Sequence, residues 1–348
     1  VIPIKTFSAS SIGCHESCPM KHFISYFLKI RDKSNFRTDM GNICHTIWEI
    51  VALAKYHHQQ GDKEFSPKFN PEWTFSTDYE NLDINEIIDL VYFDWIENNP
   101  IPSQARGFKF DHWNESMHQT VKEWTYKVIG TDEDPRNFNI VRPELKFEMK
   151  IEEPWAAFSY IGENGEIESG HITLRGIIDL VYIDKNGLLC VKDYKTGARK
   201  DWNKKGSPVK DYKLLQEDIQ LILYYYAAKK ILDAPDDMTV EVHYINDGGI
   251  FPVHFSDNDV KNVLLHTIRK KFEEIKGGNI TLNKSWQCKS FCFYGKNTFS
   301  DIGKSNVSTI SDGRGHLTKQ GEERKICEAV YKYINERPIE LVIERCKA

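Results

Sequence analysis

The 348-residue chain has no apolar run able to cross a membrane. Its longest, Leu221 to Ala228, falls far short of the roughly 20 residues a spanning helix needs. A secretion signal is missing too, since Val1-Ile2-Pro3-Ile4-Lys5 passes at once into polar residues. The expectation is a cytoplasmic protein with no membrane partner. Excess positive charge is absent: 46 Lys and Arg stand against 51 Asp and Glu, for a net charge of −5. That excludes a general nucleic-acid coat, though not an enzyme that meets phosphates with a local basic patch. There is no internal repeat. Hydrophobic residues at 40% and aromatics at 12% exclude a disordered chain. With no secretion signal, the eight cysteines read as thiols or ligands and not as disulfides.

The chemistry is concentrated in one stretch. Ile177, Ile178, Leu180, Val181 and Tyr182 surround Asp179 and read as a buried strand. The turn Asp184-Lys185-Asn186-Gly187 reverses the chain into a second strand that starts Leu188-Leu189-Cys190-Val191. On that strand Asp193 and Lys195, two residues apart, leave the same face. Buried carboxylates are costly unless a cation neutralises them. The pattern points to a divalent metal between Asp179 and Asp193, with Lys195 beside it to meet an anionic substrate. The plainer alternative is a strand-end salt bridge between Asp193 and Lys195.

Other motifs stand in order around this stretch. Ser8-Ala9-Ser10-Ser11 and Cys18-Pro19-Met20-Lys21-His22-Phe23 open the chain, and Gly41-Asn42-Ile43-Cys44-His45 follows on a helix. Downstream, Gln220-x-x-x-Tyr224 lies on an apolar helix, where Gln220 needs a buried partner. Together with Gly176-x-x-Asp179 and Asp193-x-Lys195, these resemble the PD-(D/E)XK nucleases, and within them the RecB-like branch.

The resemblance implies an α/β fold: a restriction-endonuclease-like core with a central mixed sheet flanked by helices, plus a helical insertion. It implies hydrolysis of DNA with Mg²⁺ or Mn²⁺, by an exonuclease of replication, recombination or repair. Asp179 and Asp193 become metal ligands, joined by the Tyr194 backbone carbonyl and by His45, whose imidazole favours Mn²⁺. Trp48 and Glu49 lie one turn after His45 on the same helix face. Lys195 would orient the attacking water, and Gln220 and Tyr224 would brace the site. Glu144, after Pro143, is the candidate for a further acid. Glu144 and Glu148 are expected to share a strand face, either toward the site or toward solvent. Three alternatives stay open: a catalytically silent DNA-binding or scaffold subunit with the same fold, an endonuclease of the same superfamily, and a nuclease directed at RNA.

Iron–sulfur members of the branch join one N-terminal cysteine to three near the C-terminus, which implies a [4Fe–4S] cluster, or zinc, at Cys18, Cys288 and Cys292. The C-x₃-C spacing departs from that pattern and no third cysteine follows nearby. Cys14 is the candidate fourth ligand, and Cys327 a more distant one. The alternative is a set of buried, unligated thiols. For DNA, the loop after Lys195 offers Arg199, Lys200, Lys204, Lys205 and Lys210 around Trp202, suited to phosphate contact and base stacking. Otherwise it is a solvated loop. Arg175, next to Gly176, is another candidate phosphate contact.

Periodicity predicts helices over 8–30, 39–58, 84–98 and about 110–129, with a loop from His57 to Asp78. Val141 to Ile151 reads as the first core strand, Leu214 to Leu232 as one helix, and Asp257 to Lys276 as another that stops at Gly277-Gly278. A hairpin crosses Asn246-Asp247-Gly248-Gly249. The expected organisation is a nuclease domain over 1–284 with an insertion at about 59–135. A cysteine-containing segment and terminal helix fill 285–348.

Overall fold

The computed structural model describes residues 4–28, 36–99, 113–161, 166–201, 206–278 and 280–283. Beyond these it describes residues 288, 292–296, 327, 328, 330 and 331. The chain forms two compact units that interleave in sequence: Ser34–Phe147 with Gly176–Val260, and Val1–Lys33 with Glu148–Arg175 and Lys261–Ala348. Among the described residues, no helix is long and apolar enough to cross a membrane.

The unit built from Ser34–Phe147 and Gly176–Val260 holds the sheet's centre. Residues Leu180–Ile183 of the strand Thr173–Ile183 pair antiparallel with Leu189–Lys192. The strand Leu189–Lys195 then pairs parallel with Thr239–Tyr244, which pairs antiparallel with Gly249–Val253. Parallel and antiparallel ladders alternate, so the sheet is mixed. The strand Asn139–Lys150 joins it through the Asp179 strand. Val141–Ile151 is therefore a core strand but not the first, because Thr6–Phe7 pairs parallel with Thr173 and Leu174 within the other unit. Two residues are too few to show alternation in a sequence.

Strand alternation sorts side chains between two helical layers. Leu180, Tyr182, Cys190 and Tyr194 share a core with Ile43, Ile47 and Trp48 of the helix Phe36–Gln60. The helix Ile219–Leu232 packs on the strands Leu189–Lys195 and Thr239–Tyr244. The predicted single helix over 214–232 is two, Tyr212–Gln216 and Ile219–Leu232. Asp218 breaks it: its backbone is extended and its side chain caps the second helix by accepting from the Gln220 N–H at 2.9 Å. The cap fixes where Gln220 enters the structure.

Between 59 and 135, helices Ile84–Asn98 and Glu115–Tyr126 form, and the predicted loop carries a short ribbon of Glu64–Phe65 with Phe75–Ser76. In the other unit the expected helix 8–30 is divided into Ala9–Ser17, Pro19–His22 and a π-helical turn Phe23–Phe27. Pro19, at the first helical position, has no N–H to continue the preceding helix. A second π-helical segment, Val263–Ile268, interrupts the helix predicted from 257 to 276.

Gly41 and Gly176 sit where a side chain would collide. A Cβ at Gly41 would meet Thr196 Oγ1 at 2.6 Å, so the His45 helix approaches the chain just past Lys195 closely. At Gly176 a Cβ would lie 2.5 Å from the Phe147 ring, which is buried and stands edge-on to Tyr224 at 6.2 Å. Gly176→Ala is expected to cost about 1–3 kcal/mol by overpacking, and pairing it with Phe147→Leu should restore part of the loss. Urea melts of both variants test this; a single variant as stable as wild type contradicts it.

Two buried imidazoles make stability pH-dependent. Burial, helped by His15, pushes His22 down to about 4. Burial, then Lys192, pushes His243 to about 4. Unfolded, each ring takes a proton near pH 6.5. Below that value the unfolded chain binds more protons, so stability falls as pH drops from 6.5 toward 4. From pH 7 to 5 the loss is up to about 2 kcal/mol per ring. Equal urea midpoints at the two pH values would contradict this, and His243→Gln should remove its share.

Candidate active site

The Asp179 and Asp193 strands pair up to Leu180 and Lys192 and then part. Both acids lie one residue past that last pair. Beyond it the Tyr194 N–H donates to Asp179 Oδ2 at 2.7 Å, so a carboxylate takes the place of a ladder partner. Asp193 is 1% exposed. Lys195 Nζ donates to Asp193 Oδ1 at 2.8 Å and lies 2.7 Å from Oδ2. The expected alternation holds on this strand, which sends Asp193 and Lys195 to one face and Tyr194 to the other.

Gln220 binds both. Its Oε1 accepts from Lys195 Nζ at 3.1 Å, its Nε2 donates to Asp193 Oδ1 at 3.2 Å, and the same nitrogen lies 2.7 Å from the Tyr224 hydroxyl. The buried amide thus finds the partners its apolar helix could not offer. His45 Nδ1 stands 3.4 Å from Asp179 Oδ2, and its ring leans on Trp48 and Tyr194.

The two aspartates differ in acidity. Burial works to raise Asp179, but His45, Lys195 and the Tyr194 N–H together hold it below the usual carboxylate range. Asp193 is the more deeply buried, and burial lifts it to about 6 against the pull of Lys195. Burial opposes the charges of Lys195 and His45, yet the neighbouring aspartates raise both.

A small cavity lies beside Asp179, lined by His45, Trp48, Glu49, Glu144 and Tyr194 among others. Burial, then Asp179 and Glu49, push Glu144 up to about 9. Glu144 and Glu148 do not share an environment. Glu144 takes a left-handed backbone, φ +46°, and is half-buried, while Glu148 is exposed. The left-handed residue breaks strand alternation at that point. Glu49 is the acid that motif reasoning did not assign: burial raises it to about 7, against Lys146, and Asp179 adds to the rise. Its signal was present in its position one helical turn after His45. Ile177, expected to be buried, is 42% exposed.

Among the described residues, no three His, Cys, Asp or Glu side chains stand together as ligands of one metal ion. Asp193 is turned to Lys195 and Gln220, and Asp179 to Tyr194 and His45. In kind, two carboxylates and an imidazole suit Mg²⁺ or Mn²⁺.

The candidate DNA contacts divide. Arg175 and Lys200 are exposed. Arg199 braces its loop: Nη1 donates to the Lys210 carbonyl at 2.9 Å, the guanidinium covers Phe251, and the backbone N–H donates to Asp247. Lys210 pairs with Asp218. Trp202, Lys204 and Lys205 lie outside the described residues.

In the other unit, none of the described cysteines is joined in a disulfide. Asn283 ties Cys288 to the residue before Cys18, its side chain donating to the Ser17 carbonyl at 2.8 Å while its own carbonyl accepts from Cys288 Sγ at 3.4 Å. A Cβ on Gly295 would meet the Cys288 carbonyl at 2.6 Å, so the Cys292 turn closes on Cys288. Burial pushes the Cys327 thiol up to about 12, and Cys292, Cys288 and Cys18 add to it. Cys327, the distant option in sequence, feels the charge of these three, although among the described residues no three such side chains stand together as ligands of one metal ion. Cys14 lies one turn before Cys18 and accepts its N–H at 2.9 Å.

Acids and a lysine on adjoining strands of a mixed sheet, under helices on both faces, define a nuclease-type α/β fold. The profile of the PD-(D/E)XK nuclease superfamily matches residues 6–296, and the chain belongs to that superfamily. It is 26% identical over 324 residues to a subunit of the ATP-dependent helicase/deoxyribonuclease of Clostridium botulinum (strain Langeland), covering 89% of this chain and 24% of that protein. The protein of the same name from Clostridium perfringens (strain SM101) is 22% identical over 210 residues, 57% of this chain and 16% of its own length. The chain thus spans about a quarter or less of these curated relatives. A solved structure from Eubacterium rectale, named as a candidate exonuclease, is similar with a TM-score of 0.41 and 10% identity, over 83% of this chain and 86% of that one.

Proposed function

We propose that the protein hydrolyses phosphodiester bonds of DNA at chain ends, with Mg²⁺ or Mn²⁺ held by Asp179, Asp193, His45 and the Tyr194 carbonyl. The observation that carries this reading is the bonded set Lys195–Asp193–Gln220–Tyr224 beside Asp179, where the strands part. A bound divalent ion supplies Lewis acidity and a more acidic water. Lys195 would orient the attacking water and meet the charge that builds on the phosphate. Gln220 holds the lysine and Asp193 in register, and Tyr224 holds Gln220. Glu144 and Glu49 line the cavity beside Asp179 as further acids. Arg175 and Lys200, each exposed, are proposed phosphate contacts, and Trp202, Lys204 and Lys205 are proposed as further DNA contacts on their residue types alone. The reading keeps the nuclease domain at 1–284, with 59–135 as its insertion and 285–348 as the cysteine-bearing segment.

The test is incubation with end-labelled single- and double-stranded DNA and Mn²⁺. Shortening from the labelled ends that stops with EDTA supports the proposal. Binding without cleavage overturns it in favour of a scaffold. Cleavage of closed circles assigns an endonuclease.

For the cysteines, four thiolates suit an iron–sulfur cluster in kind, and Cys18, Cys288, Cys292 and Cys327 are the proposed set. Anaerobically purified protein is expected to be brown, with broad visible absorbance that Cys327→Ser removes and Cys14→Ser leaves. A colourless protein overturns the cluster.

A further inference from the structure

Lys192 is fully buried on the strand that carries Asp193 and Lys195, yet it points to the opposite face and plays no part in the proposed chemistry. Its ammonium pairs with Glu133 and lies 3.4 Å from Glu241. Its head stands 4.7 Å from the Phe138 ring centre and 5.0 Å from that of Tyr182. The Tyr182 hydroxyl donates to Glu241 Oε2 at 2.8 Å. Tyr182, Lys192 and Glu241 belong to three adjoining strands, so one polar cluster ties all three together.

Its place in the ladder gives the cluster a consequence. Leu180 and Lys192 form the last pair between the two acid-bearing strands, and Asp179 and Asp193 follow immediately beyond it. On the other side, pairing with Thr239–Tyr244 continues through Lys195. The fork therefore opens between the two acids, and Lys192 stands at its crotch. A residue pinned there sets how far the strands splay, and so how far apart the two carboxylates stand. A buried ammonium shared by two carboxylates resists displacement, since moving it away from both would leave a buried charge uncompensated, while removal of one carboxylate leaves the other to balance it.

We propose that Lys192, held by Glu133, Glu241 and Tyr182, is a positioning residue that fixes the spacing of Asp179 and Asp193 for a divalent cation. This rests on the nuclease reading above. Groups that support ligands from behind typically change metal affinity or activity by about 10–100-fold when lost.

The experiment measures Mn²⁺ affinity by calorimetry and single-turnover DNA cleavage for the full chain, for Tyr182→Phe and for Glu133→Gln. Tyr182→Phe removes one hydroxyl and keeps the ring against Lys192; Glu133→Gln keeps a polar partner and removes its charge. Both variants are expected to bind Mn²⁺ at least about tenfold more weakly and to cleave more slowly. DNA affinity in EDTA and the melting midpoint should stay near wild type, which a merely structural role would not predict. If the wild type binds Mn²⁺ and cleaves while both variants match it, the positioning role is overturned and the nuclease reading stands. Variants that lose affinity only in proportion to lost stability also overturn it. A wild type that takes up no Mn²⁺ and cuts no DNA overturns both.

Discussion

Lys195→Met is expected to lower single-turnover cleavage by about 10²–10³-fold while leaving DNA affinity within a few-fold of wild type. The lysine is the group through which Gln220 and Asp193 act together: it donates to both, at 3.1 and 2.8 Å. Methionine keeps most of the stem's volume, so packing against the strand survives and the missing element is the ammonium. Its loss strips a buried carboxylate of its counter-charge, a change that costs about 3–5 kcal/mol when nothing relieves it. Asp193 has a relief, because its carboxyl already takes a proton near pH 6 and takes one more readily without the lysine. The fold should therefore persist at neutral pH while the chemistry stops. A melting curve separates the two effects. A variant that melts like wild type and still cuts within tenfold of its rate removes Lys195 from the reaction.

Much of this centre could be read from the chain alone, because its chemistry is local. Asp193 and Lys195 stand two apart on a strand, and Gln220 and Tyr224 one turn apart on a helix, so each pair's shared face follows from the period of its element. Gly41 and Gly176 stand beside functional motifs, and both meet a neighbour when given a Cβ. What escaped depends on breaks in periodicity or on distant partners. Strand alternation put Glu144 and Glu148 on one face, and a single left-handed residue undid it. Asp218 reads as one polar position in an apolar helix, until its extended backbone turns it into a cap. Glu49 shared a helix face with His45, but its role depends on Glu144 and Asp179 arriving from separate strands. Lys192 has no role legible in the sequence, because its partners Glu133, Glu241 and Tyr182 are each remote from it in sequence or on another strand. Arg199 had the composition of a phosphate contact and is instead drawn inward by Lys210 and Phe251.

Asp179→Asn should separate the two roles that one carboxylate combines. As a structural acceptor, Asp179 receives the Tyr194 N–H at 2.7 Å, and an asparagine oxygen can accept the same bond. As a charge, it raises His45 and adds to the rise of Asp193 and Glu144, which an amide cannot do. The strand fork should therefore keep its geometry while the site loses its most acidic carboxylate. Cleavage is expected to fall by at least about a thousandfold, beyond the loss of a single positioned donor. Mn²⁺ affinity should weaken by more than the roughly 10–100-fold typical of a supporting residue. The His45 ring, losing its anionic neighbour, should titrate at lower pH, which proton NMR of the metal-free variant can follow. If the variant binds Mn²⁺ as wild type does and only its melting midpoint drops, Asp179 is a strand brace, and the divalent ion has to be sought at Asp193 or at the Glu49–Glu144 side of the cavity.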